Sequence, residues 1–358
     1  MVEARKTKRT GLISTNSIRG GANRRVLDRV KKSGDMFLAW SDRPWVLDGA
    51  AVRVAIVGFD DGTDTERMLD GVSVSQINPD LTGDTDVTQA CRLTENANLA
   101  FMCDTKVGAF DLTNNEAKVM LYAPINPNGR TNYDVIRPWV NGLDVTRRPR
   151  NMWIIDFGTS MTVQAAALYE KPFEHIVARV KPDRDKNTRN VYRNRWWLHG
   201  ESRPSMRAAL AKVHRFTGTP TVAKHRLFIW LEAATLPDHQ IIAIARDDDY
   251  FFGVLHSRLH EVWSLRQGTS LEDRPRYTPS STFETFPFPW PPGSEPKESA
   301  LVEAISVAAR DLVTERAFHN CFARFLGQGP TAFLANCRVM SARAARYRKP
   351  VALSMVTS

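Results

Sequence analysis

At 358 residues, 42% of them hydrophobic, the chain is long enough for two domains with a sizeable core. Its net charge of +10 points to a polyanionic partner such as nucleic acid, although basic surfaces also serve solubility. No apolar run reaches the roughly 18 residues of a membrane span, and no secretory h-region follows the basic start. Cys91, Cys103, Cys321 and Cys337 lack paired or metal-ligand spacing, so free thiols in a reducing cytoplasm are expected.

In chain order, Thr10 to Ser17 is a short β-branched strand candidate, and Asn23 can cap a helix through Lys32 with Val26, Leu27 and Val30 as its apolar positions. Gly34 stops it. Met36 to Trp40 and Ala51 to Phe59 read as two further strands, joined by a loop that holds Pro44 and Gly49. By itself this strand, helix, strand, strand order fits any α/β fragment. Residues 61–131 are polar and loop-rich, with weak strand candidates at 71–77 and 99–102. Trp153 to Gly158 is an apolar strand ending in a turn, and the lone carboxylate of Asp156 reads as a turn or helix cap.

Residues 165–169 continue a helix, and Pro172 starts another. The segment Lys181 to Trp197 is dense in positive charge, with Lys181, Arg184, Lys186, Arg189, Arg193 and Arg195. On a helix Arg189 and Arg193 lie one turn apart, spaced for phosphate contacts, while Trp196 and Trp197 read as core. The competing interpretation of these arginines is a solvated helix face. A helix follows at Ser205 to His214. Lys224 and Arg226 then alternate with apolar neighbours, as on a strand edge that presents cations to phosphate. Asp247 to Asp249 follow a strand at 241–245, and three consecutive acids there read as a turn, not a magnesium site.

Leu255, Leu259, Val262 and Leu265 recur at helical spacing, so 254–266 is predicted as one helix with one buried face. The Thr, Ser and Pro-rich stretch beyond Gly268 reads as extended. His256 and His260 lie four apart, but no third ligand is placed and neither zinc-helix motif is present, so a structural or DNA-contacting role is expected. No Pro-Asp followed by Glu-x-Lys occurs at nuclease spacing, so no endonuclease centre is expected.

The order Ser257, His260, Trp263, Tyr277, Ser280 to Phe283 and Phe286 to Pro289 resembles the end of the target-recognition region of MmeI-like DNA methyltransferases. These are class I S-adenosylmethionine-dependent enzymes of type IIL and related restriction or phage-defence systems. The Arg-rich stretch ending in Trp196 to Glu201, the segments 132–138 and 141–144, and the wording of 11–24 and 53–59 resemble the family as well. The resemblance covers about residues 10–315 and implies an α/β fold: the C-terminal part of a Rossmann-like methyltransferase sheet, then an α+β recognition domain. The implied domains are 1–70 for the last methyltransferase strands, 71–290 for DNA target recognition and 291–358 for a helical linker and basic tail. It further implies sequence-specific recognition of double-stranded DNA for an adenine-N6 methyltransferase, with Arg189, Arg193, Arg195, Lys224, Arg226, Ser257, Arg258 and His260 as candidate DNA contacts.

Such an enzyme also needs a glycine-rich turn for S-adenosylmethionine and an Asn-Pro-Pro-Tyr-type loop for the flipped adenine. Asn78-Pro79-Asp80 and Asn126-Pro127-Asn128 lack the second proline and the aromatic, and Gly20-Gly21 follows what would be a late strand. The cofactor is therefore not expected to bind this chain alone, and a separate N-terminal methyltransferase chain is an expected partner. The alternatives are a non-catalytic DNA-specificity module and an inactive remnant. Beyond a helix near 297–316, residues 317–358 turn Cys, Phe and Arg-rich, which fits either a poorly folding, frame-shifted end or a basic arm on DNA.

Overall fold

The computed structural model describes residues 7–325, apart from 48, 84–86, 88, 89, 272 and 273. β1 (Arg9–Thr15) leads through two 3-10 turns into α1 (Arg25–Ser33). Arg24, not Asn23, holds the capping position; Asn23 lies in the preceding turn and donates to Ser17 Oγ at 3.3 Å. Gly34 ends α1 for a steric reason, because a Cβ there would lie 1.9 Å from the Asp60 carbonyl oxygen. β2 (Asp35–Leu47) and β3 (Ala50–Asp60) form a long antiparallel hairpin that includes Pro44, a residue expected in the loop. The proline is tolerated because β2 has a second neighbour, β4 (Met68–Leu69), only at Leu38 and Ala39, so its Pro44 end is a sheet edge.

With β5 (Val72–Ser73) the first sheet has the order β1-β3-β2-β4-β5, and β3 runs antiparallel to both its neighbours. Leu27 and Val30 of α1 pack on Met36, Ala39, Ala55 and Val57, which gives these strands a core of their own. The 3.6-residue and two-residue periods meet on that face.

The next sheets interleave in sequence. β6 (Ala100–Met102), β7 (Asp111–Leu112), α2 (Asn114–Leu121), β8 (Ile136–Val140), α3 (Gly142–Thr146) and β9 (Met152–Ile155) come first. α2 and α3 both start with reciprocal capping boxes, Thr113 with Glu116 and Asn141 with Asp144. Five short helices follow: α4 (Val163–Ala167), α5 (Glu170–Arg179), α6 (Lys181–Asp185), α7 (Asn190–Asn194) and α8 (Pro204–Leu210). β10 (Arg215–Pro220), β11 (Ile229–Glu232), β12 (Leu236–Pro237) and β13 (Ile241–Ile244) close two four-stranded sheets, β11-β10-β13-β6 and β12-β8-β9-β7. Between them lies the largest core, with Phe110, Ile154, Ile155, Phe216 and Ile241 fully buried.

The single helix expected over 254–266 is two. α9 (Asp249–Leu255) ends at His256, and Ser257 caps α10 (Arg258–Gln267) by accepting from the His260 N–H at 3.2 Å. The break changes the helical phase. Leu259 and Leu265 of the expected buried stripe are 66% and 46% exposed, while His260 and Ser264 point inward. After the hairpin of β14 (Thr269–Leu271) and β15 (Arg274–Arg276), residues 279–283 coil into a π-helical turn in place of the expected extended run. Pro279 sits at its start, where a missing N–H costs nothing. Phe283 and Phe288 pack with Phe251, Phe286 packs with Phe288, and Tyr277 packs with Phe228 and His260. α11 (Ala300–Phe325) lies on α9 at Gly253, where a Cβ would come within 2.7 Å of Ile305 Cγ2. The expected tail beyond 325 lies outside the described residues.

Candidate nucleic-acid interface

The basic segment after α5 divides into cations that face water and one that does not. Arg184 is 2% exposed and donates to the carbonyls of Val107, Lys106 and Leu198 at 2.7 to 3.0 Å. Burial lowers its pKa, and the rings of Phe110 and Tyr192 flank its guanidinium. Arg189 and Arg193 are exposed, as phosphate contacts require, but not on one continuous helix face: Arg189 occupies the capping position of the five-residue α7. A shared turn holds both. Arg189 donates to the Tyr192 hydroxyl at 3.0 Å, and Arg193 donates to the Asn187 carbonyl at 3.0 Å and to Asn190 Oδ1. Arg195, also exposed, donates to the Thr159 carbonyl at 2.5 Å. Trp196 and Trp197 pack against the main core, and Trp197 Nε1 donates to the Met161 carbonyl at 2.8 Å.

Lys224 is exposed, but on a bend and not on the expected strand edge. Arg226 turns inward. It donates to Thr219 Oγ1 and the carbonyls of Pro220 and Pro275, and it lies 5.0 Å above the Tyr277 ring. Burial brings its pKa down to about 10. His260 is fully buried: its Nδ1 faces the Leu255 carbonyl at 2.9 Å and its Nε2 faces the Tyr277 hydroxyl at 3.1 Å. Those partners suit a neutral ring that donates from Nδ1 and accepts at Nε2. Burial holds the pKa of His260, and of its neighbour His256, down to about 3. Of these two candidate DNA contacts, Arg226 is part-buried and His260 fully buried, and both contact Tyr277. Ser257 spends its hydroxyl oxygen on the α10 cap, and Arg258 is exposed with a 2.6 Å link to Glu261.

A second polar centre has no counterpart among the sequence expectations. Asp156 does cap a turn, accepting from the Gly158 N–H at 2.9 Å, yet it is buried and also takes two bonds from Arg207 at 2.7 and 3.1 Å. Arg207 on α8 reaches Asp104 Oδ2 at 2.5 Å, and His199 Nδ1 meets that same oxygen at 2.8 Å. His199 Nε2 faces the Ile155 carbonyl at 2.9 Å. Each ring nitrogen thus faces an acceptor. Burial opposes ionisation of Asp156, but the charges of His199 and Arg207 outweigh it and lower its pKa. Asp104, Asp156 and His199 place three ligand atoms within 4.8 Å of one another, the one such group among the described residues. A guanidinium already bridges the two carboxylates, so the geometry is that of a charge-balanced network and not of a metal centre. His199 stands in the Trp-Trp-x-His-Gly-Glu wording without an assigned role, and its place beside two core tryptophans is the one signal in sequence for its burial.

The glycine pair considered for a cofactor joins two 3-10 turns, and Gly20 has φ −143 and ψ 166, extended backbone that any residue adopts.

Residues 131–290 match the protein family described as MmeI, target recognition domain. No curated protein matches the chain. Among solved structures, the type IIL restriction-modification enzyme MmeI in complex with DNA superposes with a TM-score of 0.69 over 88% of this chain, at 20% identity. The chain spans 43% of that MmeI chain. Residues 131–290 therefore match the MmeI target recognition domain, on a chain that shares the MmeI fold over most of its length.

Proposed function

We propose that this chain binds double-stranded DNA and selects its sequence for a site-specific adenine-N6 DNA methyltransferase of a restriction-modification or phage-defence system. The match of residues 131–290 to the MmeI target recognition domain carries the reading. In it, residues 1–70 are the closing strands of a methyltransferase sheet, 71–290 the recognition domain, and 291–358 a helical linker with a basic tail. The exposed guanidiniums of Arg189, Arg193, Arg195 and Arg258 and the ammonium of Lys224 take phosphate oxygens and set the register on the duplex. Arg226 and His260 support the surface from beneath. In this reading the S-adenosylmethionine and flipped-adenine sites lie on methyltransferase residues other than these 358, and the setting is the cytoplasm. A specificity module that works without catalysis uses the same surface.

The test is duplex binding by fluorescence anisotropy across a salt series. Replacing Arg189, Arg193 and Lys224 by Ala together weakens binding to every sequence and flattens the log–log salt slope by roughly 0.9 for each phosphate no longer neutralised. An unchanged slope would return these residues to the role of a solvated face. Methylation restored by mixing with a methyltransferase chain separates the two-chain enzyme from the stand-alone module.

A further inference from the structure

The buried network leaves one arginine half-used, and that residue borders a cavity. A pocket of about 320 Å³ opens where β8, the turn after β9, α8 and the start of β12 meet, at the small end of the range for ligand sites. Arg137, Asp156, Arg207 and Thr235 supply its polar wall, and Met206 and Leu210 part of its apolar wall. The Arg137 side chain is 38% exposed, and Asp156 lies 3.8 Å away, beyond hydrogen-bond reach. The oxygens of Asp156 are already taken by Arg207 and the Gly158 N–H. Asp156 therefore orients the Arg137 fork without occupying it.

We propose that this pocket binds an unpaired nucleobase, guanine by preference, with Arg137 as the residue that reads it. This rests on the DNA-binding reading for the source of the base, though not for the chemistry of the pocket. Behind the wall the two carboxylates of Asp104 and Asp156 at least balance Arg207 and His199, so no surplus of positive charge is left there to hold an anion. An anionic ligand would also meet the carboxylates of Asp156 and Asp134, both of which line the cavity. A neutral planar ring meets no such repulsion. Guanine offers the adjacent acceptors O6 and N7, which match a guanidinium fork, and N–H donors that suit a carboxylate such as Asp134. The methionine and leucine side chains give its faces an apolar bed. A paired base cannot enter a recess of this kind; a base outside the stack can, and one already unpaired has little or no unpairing cost to meet.

Two titrations of the full chain decide the matter. In the first, anisotropy compares a duplex carrying one extrahelical guanine with the same duplex carrying an abasic site there. The wild-type chain binds the guanine duplex about tenfold tighter. Arg137→Ala and Arg137→Lys lose that preference and keep the affinity for the abasic duplex. Equal wild-type affinities, or a preference that survives in both variants, would overturn the proposal. In the second, guanosine and cytidine are added without DNA while the methyl signals of Met161 and Met206 are followed by NMR. Guanosine shifts them and cytidine does not; silence from both overturns the pocket. A chain that binds no duplex yet responds to guanosine would sink the DNA reading and leave the pocket standing.

Discussion

Two part-buried arginines lie near histidines in this molecule, and their surroundings are opposite. Arg207 sits among carboxylates; burial works against its charge, but Asp156 and Asp104 more than compensate and its pKa is raised. Arg226 has only a hydroxyl, two carbonyls and the face of Tyr277, and burial wins, so its pKa falls to about 10. The histidines follow their arginines. His199 shares Asp104 with Arg207 and is served by two acceptors, whereas His260 feels the Arg226 charge with no acid among its hydrogen-bond partners and stays neutral. A buried cation is thus held in two ways, by opposite charge or by dipoles, and the choice sets how each region responds to pH and to mutation.

Acid should separate the regions most strongly. His256 and His260 carry folded pKa values of about 3 against an ordinary 6.5, so between those limits the unfolded chain binds more protons than the folded one. Their contribution to stability is complete above about pH 6.5 and is lost as pH falls, by about 1.4 kcal/mol per pH unit for each ring that charges on unfolding. Asp156 has a lowered pKa, so its contribution is intact above 3.8 and is lost only as pH falls through its lower folded value. Denaturant unfolding followed between pH 7 and pH 4.5 should therefore report His256 and His260 in the aromatic core around Tyr277 and not Asp156. Stability that is flat over this range would break the comparison.

Next in size is Arg207→Met. It strands the buried carboxylates of Asp104 and Asp156, and loss of one partner from a buried ion pair costs about 3–5 kcal/mol. Adding Asp104→Asn and Asp156→Asn should recover part of that loss, because the stranded charge goes with them. If the triple variant is no more stable than Arg207→Met, the network is not held by charge. Arg226→Met should cost less, about 1–3 kcal/mol, since it orphans neutral carbonyls and not an acid. Urea midpoints of the variants give the order directly.

The contrast also marks where single-sequence reasoning stops. Strands β1, β3, β6 and β13 are legible because β-branched runs bounded by turn residues specify them locally, and Gly34 and Gly268 stand where helices stop. The break at Ser257 is hidden, because Leu255, Leu259, Val262 and Leu265 keep a helical period through it and outweigh the competing signal, a serine able to cap. Arg184, Arg189, Arg193 and Arg226 look alike in sequence. What sends Arg184 and Arg226 inside is a set of carbonyls delivered by distant segments, Val107 in one case and Pro275 in the other. The Arg207–Asp104 bond joins residues 103 positions apart, and no local pattern announces it. The resemblance carried by residues 250–290 holds because it follows many core aromatics in one order, and these prove to be packing residues, with His260 and Tyr277 among them.

The exposed cations complete the series and should give the smallest effect on stability. Arg189, Arg193 and Lys224 take part in local hydrogen bonds or face solvent, with no buried acid waiting for them, so the triple alanine variant should change the unfolding free energy by less than about 1 kcal/mol. That mildness makes the variant useful. A protein that keeps its urea midpoint and loses affinity for all duplexes alike places these side chains on phosphate, whereas a midpoint shift as large as that of Arg226→Met would mean that the surface turn around α7 carries structure as well as charge. In the second case a fall in DNA affinity could come from a displaced wall at Trp196 and Trp197, and circular dichroism of the aromatic region would show it.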